Sequence, residues 1–525
     1  MRVKDNEQQI KKMLFGFMAI SVLVRGVLAA WLEFGNDEVY YWTYALYPDW
    51  SHFDHPPMVG WMIQLFSLNL LFDSEFFVRL ASVVLMTVNT YVIFRIGKDI
   101  KDDRTGFYAA LLYTASIYAF VITGVFIMPD TPLMLFWLLA FWMAVRFDLK
   151  KENKYLVLFG LFAGLAMLSK YSGAFLWGGM GLYVLLFDRK RLKNPYLYLA
   201  ALISAICCLP ILYWNMQNEF ISFGFHSDRV GLIGKFNINY LLTEIVGESL
   251  QNNPVNYVLA IIAVVATFRG KIKTGKPAQR LLLCMALPMI LLFLFFSLTR
   301  PMLPHWNAPA YCLLIVLTSI WLSERNPVED GRFAIPRSVV AAVAVLLVVV
   351  VVGSAEIKTG FIPLDRHTEP EMVGREDFTV DMYGWRQLGT KFEVLRQNEI
   401  AEGRMNEEDG IIGSEWFPLA NLDYYVARPL GMRVMALGWA SMLHKYIWIN
   451  EIRGGFHQGE SYWFITESRY LKDPNAIYQK QFEEIRMVDT IPVERCGKTA
   501  KNFFVYSCKN FIGRPKTKAD FMAQM

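Results

Sequence analysis

Four residues near the start of the chain carry side chains that can exchange protons or bind ions. Asp37 and Glu38 follow the first apolar run, residues 13–32, and Asp54 and His55 come before the next apolar run. A carboxylate at a boundary between water and lipid can act as a general base, because burial there raises its pKa. An acid beside a histidine can also contact a phosphate or a metal ion. These residue types therefore indicate proton transfer or ion binding at a membrane surface.

Aromatic side chains fill the sequence between these acids. They are Tyr40, Tyr41, Trp42, Tyr44, Tyr47, Trp50 and Phe53. Because amphipathic rings settle in the headgroup layer, one alternative is an interfacial belt that happens to carry acids. The element Asp54-His55-Pro56-Pro57 favours the chemical interpretation, since two prolines impose a rigid turn that a belt does not need.

The composition indicates a protein that is partly embedded in a membrane and partly soluble. Of the 525 residues, 54% are hydrophobic and 19% are charged, and the mean hydropathy is +0.30. A soluble enzyme of this size is less apolar, and a chain embedded throughout carries fewer charges. The sequence contains no basic tract of the kind that binds nucleic acid, so no nucleic-acid partner is expected.

Long apolar runs predict eleven transmembrane helices. They occupy residues 13–32, 76–97, 105–126, 131–147, 155–168, 172–187, 196–214, 255–268, 281–298, 306–322 and 338–353. Residues 155–187 are divided into two spans because one helix of that length measures about 50 Å, whereas the hydrocarbon core is about 30 Å thick. Lys170 lies at the centre of this stretch and marks the predicted turn. The first run lacks a small-residue cleavage site, so we expect it to be retained.

Lysine and arginine residues concentrate in every second loop between these runs. The basic loops are 98–104, 146–154, 188–193, 269–280 and 324–337. The positive-inside rule predicts that these loops and the N-terminus are cytoplasmic. An odd number of spans then predicts that the chain after residue 353 lies on the outer side of the membrane.

The change in composition predicts a transmembrane domain at residues 1–353 and an extracytoplasmic α/β domain at residues 354–525. Short strands are predicted at 410–413, 446–449 and 462–465, and helices at 378–397 and 475–485. The second domain contains no nucleotide-binding glycine motif. Its two cysteines, Cys496 and Cys508, can form a disulfide outside the cytoplasm, and free thiols are the alternative.

Five short motifs occur in order along the predicted outer loops. They are Asp37-Glu38 followed by Tyr40, Asp54-His55-Pro56-Pro57, Met128-Pro129-Asp130-Thr131-Pro132, Leu168-Ser169-Lys170-Tyr171 and Phe223-Gly224-Phe225-His226-Ser227-Asp228-Arg229. In this order they resemble the polyprenyl-phosphate-dependent glycosyltransferases of the C-type superfamily, over roughly residues 10–325. That family includes protein O-mannosyltransferases and the bacterial transferases that add aminoarabinose to lipid A. Where the aminoarabinose enzymes have Glu-Lys-Pro-Pro, the histidine before the proline pair is nearer to the mannosyltransferases.

The resemblance implies a reaction and a role for three acids. A sugar linked through phosphate to a polyprenyl lipid is the donor, and a hydroxyl of a protein, lipid or glycan is the acceptor. Inversion in a single displacement needs one base, which the resemblance assigns to Asp37. Glu38 is a supporting acid or a capping partner, and Asp130 orients the acceptor or positions Asp37. The alternative for Asp37 and for Asp130 is helix capping.

The resemblance also implies groups that bind the departing phosphate. Lys170, His55 and Arg300 are assigned to it, although Lys170 can instead extend its ammonium group into water. Asp54, His226 and Arg229 form a further part of the site. Some relatives hold a divalent ion at the positions of Asp54 and His226, but we expect hydrogen bonding between loops there and no required cofactor.

Two other classes of protein are weighed against this enzyme. A transporter or flippase of lipid-linked sugars would show internal repeats and polar residues at mid-span, whereas here the polar residues gather at the outer loops. A membrane-anchored binding protein would leave the acids of the first loop unexplained. The expected partners are therefore the lipid-linked donor, the acceptor and membrane lipids.

Overall fold

The computed structural model describes residues 2–4, 6–230 and 234–523. The chain forms two compact units. The first comprises Met1–Trp31 and Pro48–Val350, and the second comprises Leu32–Tyr47 and Val351–Met525. The short segment that carries Asp37 and Glu38 therefore belongs to the same unit as the C-terminal part of the chain.

Helices form nearly all of the regular structure up to residue 359. They are α1 (Glu7–Trp31), α2 (Asn36–Leu46), α3 (Met58–Phe66), α4 (Glu75–Ile100), α5 (Asp103–Ala115), α6 (Asp130–Lys150), α7 (Lys154–Ser169), α8 (Phe175–Phe187), α9 (Pro195–Cys207), α10 (Leu209–Gln217), α11 (Ile221–Val230), α12 (Ile238–Gln251), α13 (Pro254–Phe268), α14 (Lys276–Phe296), α15 (Ala308–Arg325) and α16 (Arg337–Thr359). Two short strands, β1 (Arg2–Lys4) and β2 (Arg332–Ala334), pair in antiparallel fashion. Each of the eleven predicted apolar runs contains helix.

Several of these helices are long and apolar enough to cross a bilayer. In the described part of the chain they are α1, α4, α6, α14 and α16, and the pair α9 and α10, bent by 41°, makes a sixth if it is one span. Three shorter apolar segments, Lys154–Ser169, Tyr171–Phe187 and Pro254–Phe268, add to them. The protein is a multi-pass membrane protein, and the count of eleven spans stays a prediction.

The predicted turn at Lys170 is confirmed. Helix α7 ends at Ser169, Lys170 is extended (φ −157°, ψ 140°), and a 3-10 turn, Tyr171–Ala174, leads into α8. The turn returns so closely to α7 that a Cβ atom on Gly173 would lie 2.5 Å from the backbone of Ala166. Only glycine fits this approach without moving the backbone.

Small residues bring the helices of the first unit close together. A Cβ atom on Gly97 of α4 would lie 2.7 Å from the Cα of Gly106 of α5, and one on Gly160 of α7 would lie 2.3 Å from the backbone oxygen of Ala200 of α9. Membrane helices pack through such residues, because lipid supplies no hydrophobic driving force between them. The close packing fixes the helix ends that carry the candidate site.

The second unit is built on a five-stranded mixed sheet. Its strands are β3 (Gly410–Gly413), β4 (Val434–Ala436), β5 (Tyr462–Glu467), β6 (Phe482–Arg495) and β7 (Lys498–Phe511). The order is β4-β3-β5-β7-β6, with β3 parallel to β4 and β5, and β7 antiparallel to β5 and β6. Its helices are α17 (Trp385–Ala401), α18 (Trp416–Leu422), α19 (Arg428–Leu430), α20 (Ala440–Leu443), α21 (Tyr446–Ile452), α22 (Pro474–Tyr478) and α23 (Lys518–Met522). The predicted strands at 410–413 and 462–465 are confirmed.

Two local predictions in this unit were wrong. Residues 446–449 form the start of α21 rather than a strand, and the predicted helix at 475–485 is the five-residue α22 followed by β6. Short apolar runs fit a strand and a buried helix equally well, because only length and neighbours separate the two. Burial of Tyr446, Ile449 and Asn450 follows a helical period.

The two cysteines of this unit are free thiols rather than a disulfide. Cys496 is exposed at the turn between β6 and β7, whereas Cys508 is buried near the other end of β7. The eleven residues of strand from Lys498 to Cys508 span about 33 Å, which is far beyond the reach of a disulfide. The spacing in sequence did not reveal that the intervening chain is extended.

Candidate active site

A buried ion pair lies at the centre of the candidate site in the first unit. The Nζ atom of Lys170 donates to both carboxylate oxygens of Asp130, at 3.0 and 2.8 Å, and the hydroxyl of Tyr118 donates to one of them at 2.8 Å. Asp130 is 1% exposed and Lys170 is 8% exposed. An ammonium group has three N–H donors, so the pair leaves Lys170 with donor capacity for a ligand.

The ion pair excludes the alternatives considered for both residues. Asp130 is the first residue of α6, whose N-cap is Pro129 and has no side-chain cap, so its carboxylate does not cap the helix. Lys170 is buried against Asp130 and does not extend its ammonium group into water. A buried ion pair withstands desolvation only when its partners are well oriented, as they are here. The turn after α7 and the start of α6 thus present a fixed polar pair.

Two histidines lie in the electrostatic field of this pair. Burial lowers the pKa of His55 to about 3; Asp54 opposes that shift and the positive charge of Lys170 adds to it. Burial and Lys170 likewise lower the pKa of His305 to about 4. Both imidazoles are therefore neutral near pH 7, and each offers one N–H donor without adding a positive charge.

The loop containing Asp54 is joined to helix α11. The Nε2 atom of His226 donates to the backbone oxygen of Asp54 at 2.8 Å, and the hydroxyl of Ser222 donates to the backbone oxygen of His52 at 3.1 Å. The ring of His226 lies 4.9 Å from that of Tyr171 and 6.3 Å from that of His55. This contact ties α11 to the residues beside the ion pair.

The residues at this contact supply only part of a metal site. The Nε2 atom of His226 is bound to the backbone oxygen of Asp54, so in this arrangement it does not serve as a metal ligand. Within the described ranges, the one group of three ligand-type side chains lies in the second unit and comprises Asp365, His367 and Glu376. A divalent ion at Asp54 and His226 would therefore need further ligands, such as water or substrate phosphate.

Arg300 and Arg229 were both assigned to the site from the sequence, and the structure describes the side chain of Arg300. Arg300 is half-buried in the turn after α14, five positions before His305. Arg229 lies in α11, but its side chain is outside the described residues.

In the second unit, Glu38 caps the helix that carries Asp37. Its carboxylate accepts a hydrogen bond from the backbone nitrogen of Gly35, the N-cap of α2, at 2.9 Å. Glu38 is 1% exposed, whereas Asp37 is exposed in the first turn of the same helix. The N-cap alternative for Asp37 is therefore wrong, because Gly35 occupies that position. The two neighbouring acids lie in different environments.

Helix α2 is held firmly by the rest of the second unit. The backbone nitrogen of Phe34 donates to the hydroxyl of Tyr425 at 2.7 Å, and that of Trp385 donates to the carboxylate of Glu33 at 2.9 Å. The ring of Tyr40 packs 5.0 Å from that of Trp416. These contacts fix the backbone on both sides of Asp37, so its carboxylate is presented on a rigid support.

The far end of α2 is anchored by charged groups. The Nε atom of Arg453 donates to the hydroxyl of Tyr47 at 3.0 Å, and the Nη2 atom of Arg453 forms an ion pair with the carboxylate of Asp423 at 2.8 Å. Burial raises the pKa of Asp423, and the positive charge of Arg453 opposes that rise. The hydroxyl of Tyr446 donates to the same carboxylate at 3.0 Å. The aromatic residues for which an interfacial belt was the alternative therefore serve in part as anchors within this unit.

Sequence reasoning missed two buried acids on α12, Glu244 and Glu248. Glu248 accepts hydrogen bonds from the Tyr311 hydroxyl, at 2.8 Å, and from the Asn307 amide. Glu244, one turn earlier, is 1% exposed, and neither of its oxygens has a hydrogen-bond partner among the described residues. Burial, followed by the charge of Glu248, raises the pKa of Glu244 to about 7. Two acids spaced by four on an amphipathic helix of the fourth outer loop were the available signal.

His305 and Tyr118 were also missed. His305 lies in the same predicted outer loop as Arg300, so its position there was the signal. Tyr118 gave none, because its π-helix, Tyr118–Ile122, interrupts a run that was predicted to be one continuous span. Such single-turn π-helices often mark functional positions in helices.

The chain is similar in sequence to one protein family and in fold to a solved structure. The family described as dolichyl-phosphate-mannose-protein mannosyltransferase matches residues 54–214. The fold is similar to the crystal structure of ArnT from Cupriavidus metallidurans bound to undecaprenyl phosphate, with a TM-score of 0.62, 14% sequence identity, and coverage of 94% of this chain and 98% of that chain. The same protein in the apo state gives a TM-score of 0.60.

Sequence relatives agree with the fold. The chain is 21% identical over 292 residues to the lipid A galacturonosyltransferase RgtD of Rhizobium johnstonii, covering 55% of this chain and 60% of that protein. It is 24% identical over 297 residues to the undecaprenyl phosphate-alpha-4-amino-4-deoxy-L-arabinose arabinosyl transferase of Pectobacterium carotovorum subsp. carotovorum, covering 53% and 50%. The chain thus spans between half and two thirds of the length of these relatives. The predicted resemblance to polyprenyl-phosphate-dependent glycosyltransferases is confirmed.

Proposed function

We propose that this protein is an inverting glycosyltransferase that moves a sugar from a polyprenyl-phosphate donor to a hydroxyl acceptor, on the outer face of a bacterial inner membrane. The observation that carries the proposal is the Asp130–Lys170 pair beside two neutral histidines, on a fold similar to ArnT. Such a group of donors suits a phosphate that gains charge as its bond to the sugar breaks.

The donor phosphate is bound mainly by Lys170 in this proposal. Asp130 holds the ammonium in place and neutralises it before the donor arrives, so binding does not require a reorganisation of the site. Neutral His55 and His305 add N–H donors, and Arg300 contributes positive charge at the rim. Charge-assisted hydrogen bonds from an ammonium to phosphate oxygens are the strong ones in such a site.

Asp37 is the proposed base. It removes the proton from the acceptor hydroxyl as that oxygen bonds to the sugar carbon, and the polyprenyl phosphate leaves from the opposite face. An exposed carboxylate on a rigid helix can meet an acceptor that arrives from water. Glu38 orients this helix through its cap and is not the base. The leaving group is stabilised by the side chains above, so the reaction as proposed requires no metal cofactor.

The relatives indicate the classes to which the sugar and the acceptor belong. RgtD is named for galacturonosyl transfer to lipid A, and the Pectobacterium protein for arabinosyl transfer from undecaprenyl phosphate. We propose a hexosyl or pentosyl donor of this type and a lipid, protein or glycan acceptor. The proposed orientation places the N-terminus in the cytoplasm and the chain after residue 353 on the outer side.

The test uses purified full-length protein and a panel of polyprenyl-phosphate sugars with candidate acceptors. Release of free polyprenyl phosphate is followed for the wild type, for Asp37→Asn and for Glu38→Gln as a matched control. We expect release by the wild type and the control but not by Asp37→Asn. Movement of an intact donor across a vesicle membrane without release would instead support a transporter or flippase. Substantial release by Asp37→Asn would remove Asp37 as the base.

A further inference from the structure

A groove in the first unit combines apolar walls with positive charge at one end. The cavity, of about 780 Å³, lies between the C-terminal ends of α8 and α13 and the N-terminal half of α14. Its walls include Leu283 and Leu287 of α14, and its charged end is lined by Lys273, Lys276 and Arg280. All three cations are exposed at the surface of the chain.

These cations have no acidic partner in the described part of the chain. Glu324, near the end of α15, lies close to Lys273, but its carboxylate accepts hydrogen bonds from the backbone nitrogens of Lys273, at 3.1 Å, and Thr274, at 2.8 Å. The guanidinium of Arg280 instead lies over the ring of Phe187, 4.8 Å from its centroid. The ammonium groups and the guanidinium are therefore left to interact with something outside the chain.

The arrangement of these charges is unfavourable without a bound anion. Lys276 and Arg280 are four residues apart on α14, where like charges repel each other. Both lie in the first turns of this helix, whose N-terminal dipole is also positive. The positive-inside rule requires only that the loop be basic. It does not require that the charges lie close together at the end of an apolar groove.

We propose that this groove binds an anionic phospholipid of the surrounding bilayer. An acyl chain lies along the leucine walls, and the phosphate with its anionic headgroup contacts Lys273, Lys276 and Arg280. Basic pockets between membrane helices recognise anionic headgroups by charge complementarity. A zwitterionic lipid fits less well, because its ammonium group meets the same three cations. This proposal does not depend on the proposed reaction.

The test measures lipid binding by native mass spectrometry of the full chain, delipidated in detergent. Phosphatidylglycerol and phosphatidylethanolamine with identical acyl chains are titrated separately. Each cation near an anionic headgroup contributes about 1 kcal/mol, which is roughly fivefold in affinity. We therefore expect the triple variant Lys273→Ala, Lys276→Ala, Arg280→Ala to bind phosphatidylglycerol about a hundredfold more weakly than the wild type.

A matched control removes the same charge outside the groove. Arg189, Lys190 and Lys193 are exposed on the neighbouring 3-10 helix, Arg189–Lys193, and do not line the groove. The variant Arg189→Ala, Lys190→Ala, Lys193→Ala should retain the preference for phosphatidylglycerol. Equal losses in the two triple variants would overturn the proposal, because they would indicate attraction to surface charge in general. Equal binding of the two lipids by the wild type would also overturn it.

A second variant tests the groove with its charges intact. Leu287→Trp narrows the apolar wall, so it should weaken binding of phosphatidylglycerol severalfold while leaving the three cations in place. Glycerol phosphate, which lacks acyl chains, should not compete with the lipid at millimolar concentration. Unchanged lipid binding by Leu287→Trp, or effective competition by glycerol phosphate, would show a site for a soluble anion and overturn the lipid assignment.

Discussion

Asp130 and Asp37, the principal acids in the two units, occupy opposite environments. Asp130 is 1% exposed and accepts hydrogen bonds on both oxygens from Lys170 and on one from Tyr118. Asp37 is exposed in the first turn of a helix that Glu38 caps and that the second unit holds in place. The first carboxylate is fixed in its ionised form by its partners, whereas the second can reach solvent and an incoming acceptor.

This difference separates a positioning role from a catalytic one. A base must gain a proton during the reaction, and a carboxylate bound on both oxygens to an ammonium resists that change. Asp130 is suited to hold Lys170 for a phosphate, and its loss should affect the folded structure as well as the donor. Asp37 is suited to proton transfer, and its loss should affect turnover alone.

The largest predicted effect is on turnover by Asp37→Asn. General-base catalysis contributes a factor of roughly 10²–10⁴, so release of polyprenyl phosphate should fall by at least about a hundredfold. Donor affinity and melting temperature should stay at the wild-type values, because the exposed amide replaces the exposed carboxylate without a change in packing. Steady-state kinetics and a thermal scan of the same preparation measure both.

Glu38→Gln is the matched control for this prediction. It removes a capping carboxylate next to Asp37, so it should lower the stability of the protein by about 1 kcal/mol and retain most turnover. If Glu38→Gln lost turnover as strongly as Asp37→Asn, the assignment of separate tasks to the two acids would fail.

The second prediction concerns the buried ion pair. Removing one partner of a buried pair leaves an uncompensated charge and costs about 3–5 kcal/mol. Lys170→Met and Asp130→Leu should therefore each lower the melting temperature by roughly 3–5 °C. The double variant should recover much of this loss, because replacement of both charges by apolar groups removes the desolvation penalty.

Donor binding distinguishes a purely structural pair from one that also binds phosphate. The double variant Lys170→Met, Asp130→Leu should remain folded and yet bind a polyprenyl-phosphate sugar at least tenfold more weakly, since the ammonium donor is gone. Wild-type donor affinity in a well-folded double variant would end the phosphate assignment of Lys170.

Local signals predicted the position of the site better than its internal contacts. The turn at Lys170 was predicted because one helix over residues 155–187 would be longer than a bilayer is thick. The structure contains this turn. The partner of Lys170 did not follow, because Asp130 lies 40 positions away and hydropathy carries no pairing information. His305 comes from yet another loop. Tertiary packing, rather than periodicity, brings these side chains together.

The support of Asp37 shows the same limit more clearly. Its helix was predicted to lie in a loop of the membrane domain, whereas Phe34 bonds to Tyr425, 391 positions away, within the second unit. Composition alone predicted a boundary near residue 353, and the second unit resumes at Val351. Composition could not show that a short segment much earlier in the chain completes that unit.

The third prediction uses the lowered pKa of His305. Burial and Lys170 lower this pKa to about 4 in the folded state, against an ordinary value of 6.5. The unfolded chain therefore takes up a proton as the pH falls below 6.5 while the folded chain does not, so this contribution to stability is lost between pH 6.5 and 4. His305→Gln should show a smaller fall in melting temperature over this window and little difference above pH 7.

A matched variant at an exposed histidine sharpens this measurement. His457 is exposed at the surface of the second unit. The variant His457→Gln should leave the dependence of the melting temperature on pH as in the wild type. An unchanged pH profile for His305→Gln would mean that His305 titrates normally and is not held neutral beside Lys170.

Glu244 is the acid that neither Asp130 nor Asp37 resembles, because it is buried and lacks a hydrogen-bond partner among the described residues. Its pKa is raised to about 7 in the folded state, against an ordinary value of 4.5. The folded chain holds the proton more tightly, so Glu244 penalises the fold increasingly as the pH rises from 4.5 to 7. Glu244→Gln should therefore raise the melting temperature by a few degrees at pH 8 and leave it unchanged at pH 4.5.

Glu248→Gln, one turn later, should instead lower the melting temperature at pH 8, because Asn307 and Tyr311 lose a carboxylate acceptor. If both variants changed the melting temperature in the same direction at pH 8, hydrogen-bond partners would not decide whether a buried acid stabilises or destabilises this protein.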